Sequence, residues 1–381
     1  MAKRYNELWQ EIADKDNVHK GLHLAVKDKT KVGSIARVLE DEDNKVNEIT
    51  VALQSGSYTQ SNHHIKLLFE PKLRIIYTSN FYMDRIVHHA IMNILEPIYD
   101  ARMFHHSYSC RKGYGQHRAS TLCMLYTMKN DFCAQHDCSQ FYVNIDHGIM
   151  KDLYRWKIKD KELLRVLDAR LDSISTRQNN IVILKDVINK GIAVEQAKHQ
   201  LKKLIYSNTL FNNAPAGEPI GDLISQWDGN LYMTDFDYFV YNDLGCKDYF
   251  RFCDDFVMYS NDKGQLHEWS CRAEEWLLKK RKMVLSRAEV FPTSLGIDCC
   301  GYRHFHNGKL LVRKRTAKRA QKRMKGILPG LDSGALTVEQ ARSKIGSTWG
   351  ILKHAQTYNL RQSMNFDEIK NEVVNRAKKA I

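Results

Sequence analysis

Residues 249 to 259 read Tyr249-Phe250-Arg251-Phe252-Cys253-Asp254-Asp255-Phe256-Val257-Met258-Tyr259, two apolar, aromatic-rich runs that meet at a pair of adjacent carboxylates. Runs bounded in this way predict two antiparallel strands joined by a tight turn, with Asp254 and Asp255 at or beside it. Turns favour Asp for ordinary backbone reasons, so the pair taken alone reads as a solvated turn. Between core strands, two touching negative charges otherwise call for a cation.

At 381 residues the chain is long enough for two or three packed subdomains, and its 43% hydrophobic and 27% charged residues are ordinary for a folded protein. The net charge of +14 is not, and it is localised: residues 303 to 381 hold 18 Lys and Arg against 5 Asp and Glu. Such asymmetry points to a polyanionic partner, either nucleic acid or an anionic membrane surface. No stretch approaches the roughly 18 apolar residues of a membrane span, and the basic start Met1-Ala2-Lys3-Arg4 lacks the apolar core of a secretory signal. Nine cysteines, without paired Cys-x-x-Cys spacing, argue against a disulfide framework and a structural zinc site, so a reducing cytoplasmic location is expected. The pairs His63-His64, His88-His89 and His105-His106 lack Cys or carboxylate partners at ligand spacing and read as surface or core histidines.

Periodicity predicts helices over 4–15 and 35–54, a hairpin of 64–70 and 73–78 about Pro71-Lys72, and a helix over 82–95 ended by Glu96-Pro97. A Gly-punctuated loop at 111–115 precedes a helix to about 130 and a strand over 132–137. Charged helices at 160–173 and 193–207 then fill a long interval. Helices over 222–242 and 263–282, strands at 284–291 and 297–304, and basic helices at 314–325 and 338–355 complete the chain.

Asp137 ends the strand in Phe132-Cys133-Ala134-Gln135-His136-Asp137-Cys138, with Phe141-Tyr142 four and five residues on. By itself it reads as a helix cap. Between the acids lies Ala216-Gly217-Glu218-Pro219-Ile220-Gly221-Asp222-Leu223-Ile224-Ser225-Gln226, a loop and helix start where glycine permits close backbone approach and Ser225 and Gln226 follow one turn later.

The order of these pieces carries more than any one of them. An acid at a strand end, Pro-x-Gly-x-x-x-Ser-Gln, the Asp-Asp hairpin and Gly296-Ile297-Asp298-Cys299-Cys300-Gly301-Tyr302 resemble the palm motifs of reverse transcriptases in sequence. Upstream, Pro71-Lys72-Leu73-Arg74-Ile75-Ile76 and Ser107-Tyr108-Ser109-Cys110-Arg111-Lys112-Gly113 are similar to the two fingers motifs of that family. The resemblance implies an α+β right-hand polymerase with an N-terminal helical extension (1–60) and fingers (61–130). A palm would follow (131–302), an antiparallel sheet flanked by helices and interrupted by a helical insertion at about 155–213, and then a basic helical thumb (303–381). It also implies an RNA-directed DNA polymerase that uses two divalent ions, Mg2+ or Mn2+, for phosphoryl transfer.

Carried over residue by residue, the resemblance makes Asp137, Asp254 and Asp255 the catalytic acids and metal ligands, with the Cys138 carbonyl as a further oxygen. Arg74 and Arg111 would grip the triphosphate, with Lys72 a weaker candidate. Tyr142 would exclude a ribose 2'-hydroxyl, selecting deoxynucleotides, and Gly221 and Gln226 would border the nucleotide. Gly301 and Tyr302 would hold the primer, while Arg313, Lys314, Arg315, Lys318 and Arg319 would track nucleic-acid phosphates, with Trp349, His354 and Tyr358 interleaved further on. Arg287 stands where many relatives carry a proton-donating lysine, and an arginine is a poor donor near neutral pH.

Within the family, Ile220-Gly221-x-x-x-Ser225-Gln226 is similar to mutagenic diversity-generating retroelement enzymes. Phe252-Cys253 before the acids and the long insertion resemble instead bacterial enzymes linked to phage defence, which copy a neighbouring structured noncoding RNA. That template, the DNA product, dNTPs and an accessory protein or second copy are the partners implied, with no membrane. A non-enzymatic alternative is an RNA-binding cofactor that keeps the fold.

Overall fold

Four short helices open the chain where two longer ones are expected. The computed structural model describes residues 4–27, 29, 33–70 and 72–379. In it α1 (Leu8–Ile12), α2 (Lys15–Val26), α3 (Gly33–Glu40) and α4 (Glu42–Gln54) pack as an N-terminal layer. Asp14 makes the first break: its carboxylate accepts from the Asp16 and Asn17 amides at 2.9 and 3.3 Å, the N-cap chemistry that satisfies orphan donors of α2. Strands β1 (His64–Leu68) and β2 (Arg74–Thr78) then pair antiparallel, from Leu68 opposite Arg74 to His64 opposite Thr78. Pro71, expected in their turn, lies outside the described residues. Helix α5 (Ile86–Asp100) runs through Pro97 instead of stopping before it. An interior proline costs ~3 kcal/mol, and fully burying Leu95 and Tyr99 on either side of it offsets that.

Helix α6 (Gln116–Lys129) leads into β3 (Phe132–Cys138), followed by α7 (Phe141–Asn144) and α8 (His147–Lys157). The insertion holds three helices, α9 (Lys161–Asp172), α10 (Thr176–Asn189) and α11 (Val194–Leu210), where the sequence reading has two. Leu184 and Val187 of α10 and Ala197 and Leu204 of α11 are buried together with Leu73, Ile75 and Tyr77 at β2. The insertion is thus packed on the hairpin and shares a core with it.

Beyond α12 (Leu223–Tyr238), β4 (Tyr249–Phe252) and β5 (Asp255–Ser260) form the expected hairpin, and α13 (Lys263–Arg281) leads to β6 (Leu285–Pro292). These strands build an antiparallel sheet in the order β4-β5-β3-β6. Side chains alternate across it, as the two-residue period of a strand demands. Ala134, Tyr249, Phe256 and Met258 join the core of α12 and α13, while Cys133, Phe250, Val257 and Tyr259 pack with Cys123 of α6 and with Ile297 and Cys299.

One strand is expected over 297–304; the chain instead turns at Cys300-Gly301 between β7 (Ile297–Cys299) and β8 (Tyr302–His304), which pairs with β9 (Leu310–Val312). Strand β8 runs across the 302/303 boundary proposed above. Helices α14 (Lys314–Lys325), α15 (Ile327–Asp332), α16 (Val338–Leu352), α17 (Tyr358–Gln362) and α18 (Phe366–Lys379) close on a core of their own around Met324, Ile345, Leu352, Phe366 and Val373. The protein is therefore a mixed α/β molecule, 60% helical with small antiparallel sheets. No helix among the described residues is long and apolar enough to cross a membrane.

Candidate active-site cleft

In the β4–β5 hairpin Phe252 faces Asp255, which leaves Cys253-Asp254 as a two-residue turn. Cys253 has φ 60°, the positive value tight hairpin turns take, at a cost of ~1–3 kcal/mol for a non-glycine residue. Arg251 pins it: Nη1 donates to the Cys253 carbonyl at 2.8 Å, and Nε and Nη2 each donate to Asp237 at 2.8 Å in a fully buried pair. Asp255 stands opposite Asp137 in the β3–β5 register, and a register shift against β6 falls between Asp137 and Cys138. Irregularities of this kind re-aim side chains at a strand end.

The carboxylates repel one another. Burial first, then the charges of Asp254 and Asp137, pushes Asp255 up to about 7, against the pull of Arg287. Burial and then Asp137 raise Asp254 as well. Asp255 keeps 45% of its side-chain surface, so water screens part of this effect. Arg287 Nη2 donates to Asp255 Oδ1 at 3.1 Å, and the Ser286 hydroxyl donates to Asp137. Hard oxygen donors short of counter-charge fit a divalent cation. Among the described residues, the group of three ligands whose atoms all lie within 4.8 Å of one another is His19, His23 and Glu42, not the hairpin acids. There the Nε2 atoms of the two imidazoles lie 2.8 and 3.1 Å from Glu42 Oε1 at the surface.

A cavity of about 620 Å3 opens beside the turn, lined by Asp137, Cys138, Asp254 and Ser286, by Tyr142 and Cys253, and by Lys72 and Arg74. It thus gathers most of the proposed catalytic and triphosphate residues. Asn180, Gln196, His199, Gln200 and Lys203 line it too, all from the insertion and none singled out from the sequence. The Tyr142 hydroxyl lies 3.5 Å from Cys253 Sγ, and burial raises its pKa. Gly229 of α12 gives this ring its room: a Cβ there would stand 3.1 Å from Tyr142 Cε1 and 3.0 Å from Phe141 Cε1.

Other proposed nucleotide ligands are engaged elsewhere. Arg111 is 9% exposed; its Nε donates to Asp100 at 2.6 Å, its Nη1 to the Phe104 and Ser107 carbonyls at 2.9 Å each, and it stacks 3.9 Å from the Tyr114 ring centre. It is a satisfied counter-ion of a loop and does not line the cleft. Gly221 serves backbone packing: the Ile220 carbonyl accepts from the Tyr77 amide at 3.1 Å, and a Cβ on Gly221 would lie 2.5 Å from the Tyr77 carbonyl oxygen. Gln226 faces solvent outside the cavity.

Ser225 is buried and donates to Glu218 at 2.9 Å. That bond belongs to a network in which Arg170 of the insertion donates to both Glu218 oxygens at 2.9 and 3.1 Å and also meets Asp228, itself an acceptor from Tyr154 at 2.6 Å. Burial, then Glu218, pushes Asp228 far up. Burial opposes ionisation of Glu218 too, but Arg170 holds its carboxyl below the usual range. The network is neutral overall when Asp228 keeps its proton, and it anchors the 216–222 loop to the insertion.

A second cavity, about 830 Å3, is lined by Arg313, Lys314, Arg315, Lys318 and Arg319 with Arg303 and Lys322. Positions 314, 318 and 322 repeat every four residues, so α14 turns one basic face to it. Asp298, an acid of the lining, pairs with Arg313 at 2.5 Å. Gly301 occupies the β7–β8 turn with φ 85°, its carbonyl accepting from the Arg313 amide at 3.1 Å. Tyr302, expected to touch nucleic acid, is fully buried and donates to the Ile351 carbonyl at 3.0 Å, tying the sheet to α16. Exposed Trp349 and Tyr358 line a further cavity with Lys353 and Arg361, whereas His354 stacks on His117. Against protein-family models the chain finds no match, and a search of curated proteins returns none.

Proposed function

We propose that the chain is an RNA-directed DNA polymerase whose nucleotidyl transfer takes place at Asp137 and Asp254. The observation that carries this reading is a single cleft lined by a strand-end acid, a hairpin-turn acid, a tyrosine and the cations Lys72 and Arg74. Asp137, Asp254 and the Cys138 carbonyl would hold Mg2+, with Asp255 in support through its pairing with Arg287. A pair of such ions, when bound, activates the attacking hydroxyl and neutralises the triphosphate. Arg74 supplies a planar fork suited to phosphate oxygens, and Lys72 a point charge. Tyr142 narrows the cleft beside the sugar and selects deoxynucleotides. The basic face of α14 holds the template and product by their phosphates.

The test is primer extension by the purified protein with Mg2+, dNTPs and an RNA template. Asp254→Ala with Asp255→Ala is expected to lower the rate by at least ~100-fold, the scale on which lost transition-state charge stabilisation is felt. Full activity of that variant would sink the proposed site. The template is taken to be a structured noncoding RNA, and sequencing copurified nucleic acid checks this. Repetitive cDNA of one RNA is expected, whereas cDNA altered at template adenines would point to sequence diversification.

A further inference from the structure

We propose that the insertion is a working wall of the nucleotide cleft: Lys203, with His199, binds the phosphates of the incoming nucleoside triphosphate, and Gln196 and Gln200 position the Lys72–Arg74 segment opposite. The inference rests on the polymerase reading and extends it to a helix of the insertion, which the family resemblance leaves without a part in nucleotide binding.

The clamp is the clearest part. Gln196 Oε1 accepts from the Leu73 amide at 2.6 Å, and Gln200 Nε2 donates to the Leu73 carbonyl at 2.7 Å. Strand pairing with β1 ends at Arg74, so Leu73 takes both of these bonds from α11. Residues four apart on a helix share a face, and the pair therefore reads one residue's backbone as a neighbouring strand would. Leu73 is buried while Lys72 and Arg74 on either side are exposed. Fixing Leu73 thus fixes the direction of both cations. The wall behind is firm, since Tyr77 donates to Asn180 of α10 at 2.5 Å and the two insertion helices share the hairpin's core.

His199 and Lys203 repeat the four-residue spacing on the next row of α11 and line the same cavity as Asp137 and Asp254. Neither side chain has a hydrogen bond or ion pair to another described residue. A triphosphate there would meet cations from two walls, Lys72 and Arg74 on one and Lys203 on the other. A lysine binds phosphate as a point charge on a flexible stem, which suits a wall that stands back from the reacting atoms.

A template phosphodiester would satisfy the same ammonium, and kinetics separate the two sources. Full-length Lys203→Gln is expected to raise the dNTP KM about tenfold with kcat within about twofold, to leave primer–template affinity by fluorescence anisotropy unchanged, and to be rescued by Lys203→Arg. Gln196→Ala with Gln200→Ala is expected to raise the same KM severalfold without lowering the melting temperature by more than a few degrees. Weakened primer–template binding with an unchanged KM assigns Lys203 to the template and overturns the proposal, as does no change in either. Should the wild type extend no primer, the polymerase reading fails separately. Calorimetric titration with Mg·dATP then decides: weaker binding by Lys203→Gln supports the phosphate contact, and equal binding or none by the wild type overturns it.

Discussion

Asp137 and Asp255 face each other across β3 and β5, and Arg287, opposite Asp137 on the other side of β3, reaches over to Asp255 at 3.1 Å. That guanidinium pairs with one acid of the cluster of three. The consequence for pH follows from the sign of the shifts. Asp255 rises from an ordinary 3.8 to about 7, so in the metal-free protein its ionisation opposes folding, with stability lost as pH climbs from about 4 through 7. Mg2+ bound at the proposed site would remove that penalty. The rise in melting temperature on adding Mg2+ is expected to be larger at pH 8 than at pH 6, to be reversed by EDTA, and to vanish in Asp254→Asn with Asp255→Asn. Equal shifts at the two pH values would contradict the cluster's role in binding the ion.

Arg287 is a counter-ion in this arrangement, and the variant Arg287→Ala distinguishes that role from proton donation. With its charge gone, Asp255 is expected to climb further, so the rising limb of activity against pH at limiting Mg2+ should move to higher pH. A group that only delivered a proton would lower kcat and leave that limb where it was. The pH–rate profile of the variant, measured at two Mg2+ concentrations, reads the difference directly.

The hairpin at 249–259 was legible because both of its strands are apolar on both faces, and the sheet does bury both faces. Strand β3 is less plain in the sequence, since Gln135, His136 and Asp137 make its second half polar although the strand is largely buried. What escaped are features decided at a distance. Helix α10 looks like a polar interval until Leu184 and Val187 are set against β2, and Gln196 and Gln200 are ordinary helix-surface residues until Leu73 lies under them. Charge misleads in the other direction: Arg111 has the composition of a phosphate ligand, yet its donors are taken up by Asp100 and two carbonyls. Motif order points to Tyr302 but says nothing of the Ile351 carbonyl of α16 that accepts from its hydroxyl.

Arg170, Glu218 and Asp228 form a buried charge network, and such networks are fragile when one partner is removed. Arg170→Met leaves Glu218 without its cation in a dry site, so a loss of about 3–5 kcal/mol is expected from urea unfolding at pH 8. Adding Glu218→Gln removes the stranded charge and should recover part of that loss. The single variant should also be less impaired at pH 5, since Glu218 without Arg170 is free to take up a proton. A cost under ~1 kcal/mol at pH 8 would mean that water reaches the network in solution.

The basic face of α14 makes a prediction that separates phosphate contact from a merely solvated helix. Each cation that neutralises a phosphate releases counter-ions, so log affinity falls with log salt by about 0.7 to 0.9 per contact. Lys318→Gln with Lys322→Gln removes two charges from the cavity lining and leaves the helix's buried residues, Ala320 and Met324, untouched. Affinity for an RNA–DNA duplex is expected to fall at low salt, and the salt slope to flatten by about 1.4 to 1.8. Fluorescence anisotropy across a series of salt concentrations measures both quantities. Solvated charges would weaken binding only slightly through the overall field and leave the slope as it was. An unchanged slope would therefore move the nucleic-acid path off α14, leaving the cavity lined by Trp349, Lys353, Tyr358 and Arg361 as the next surface to test.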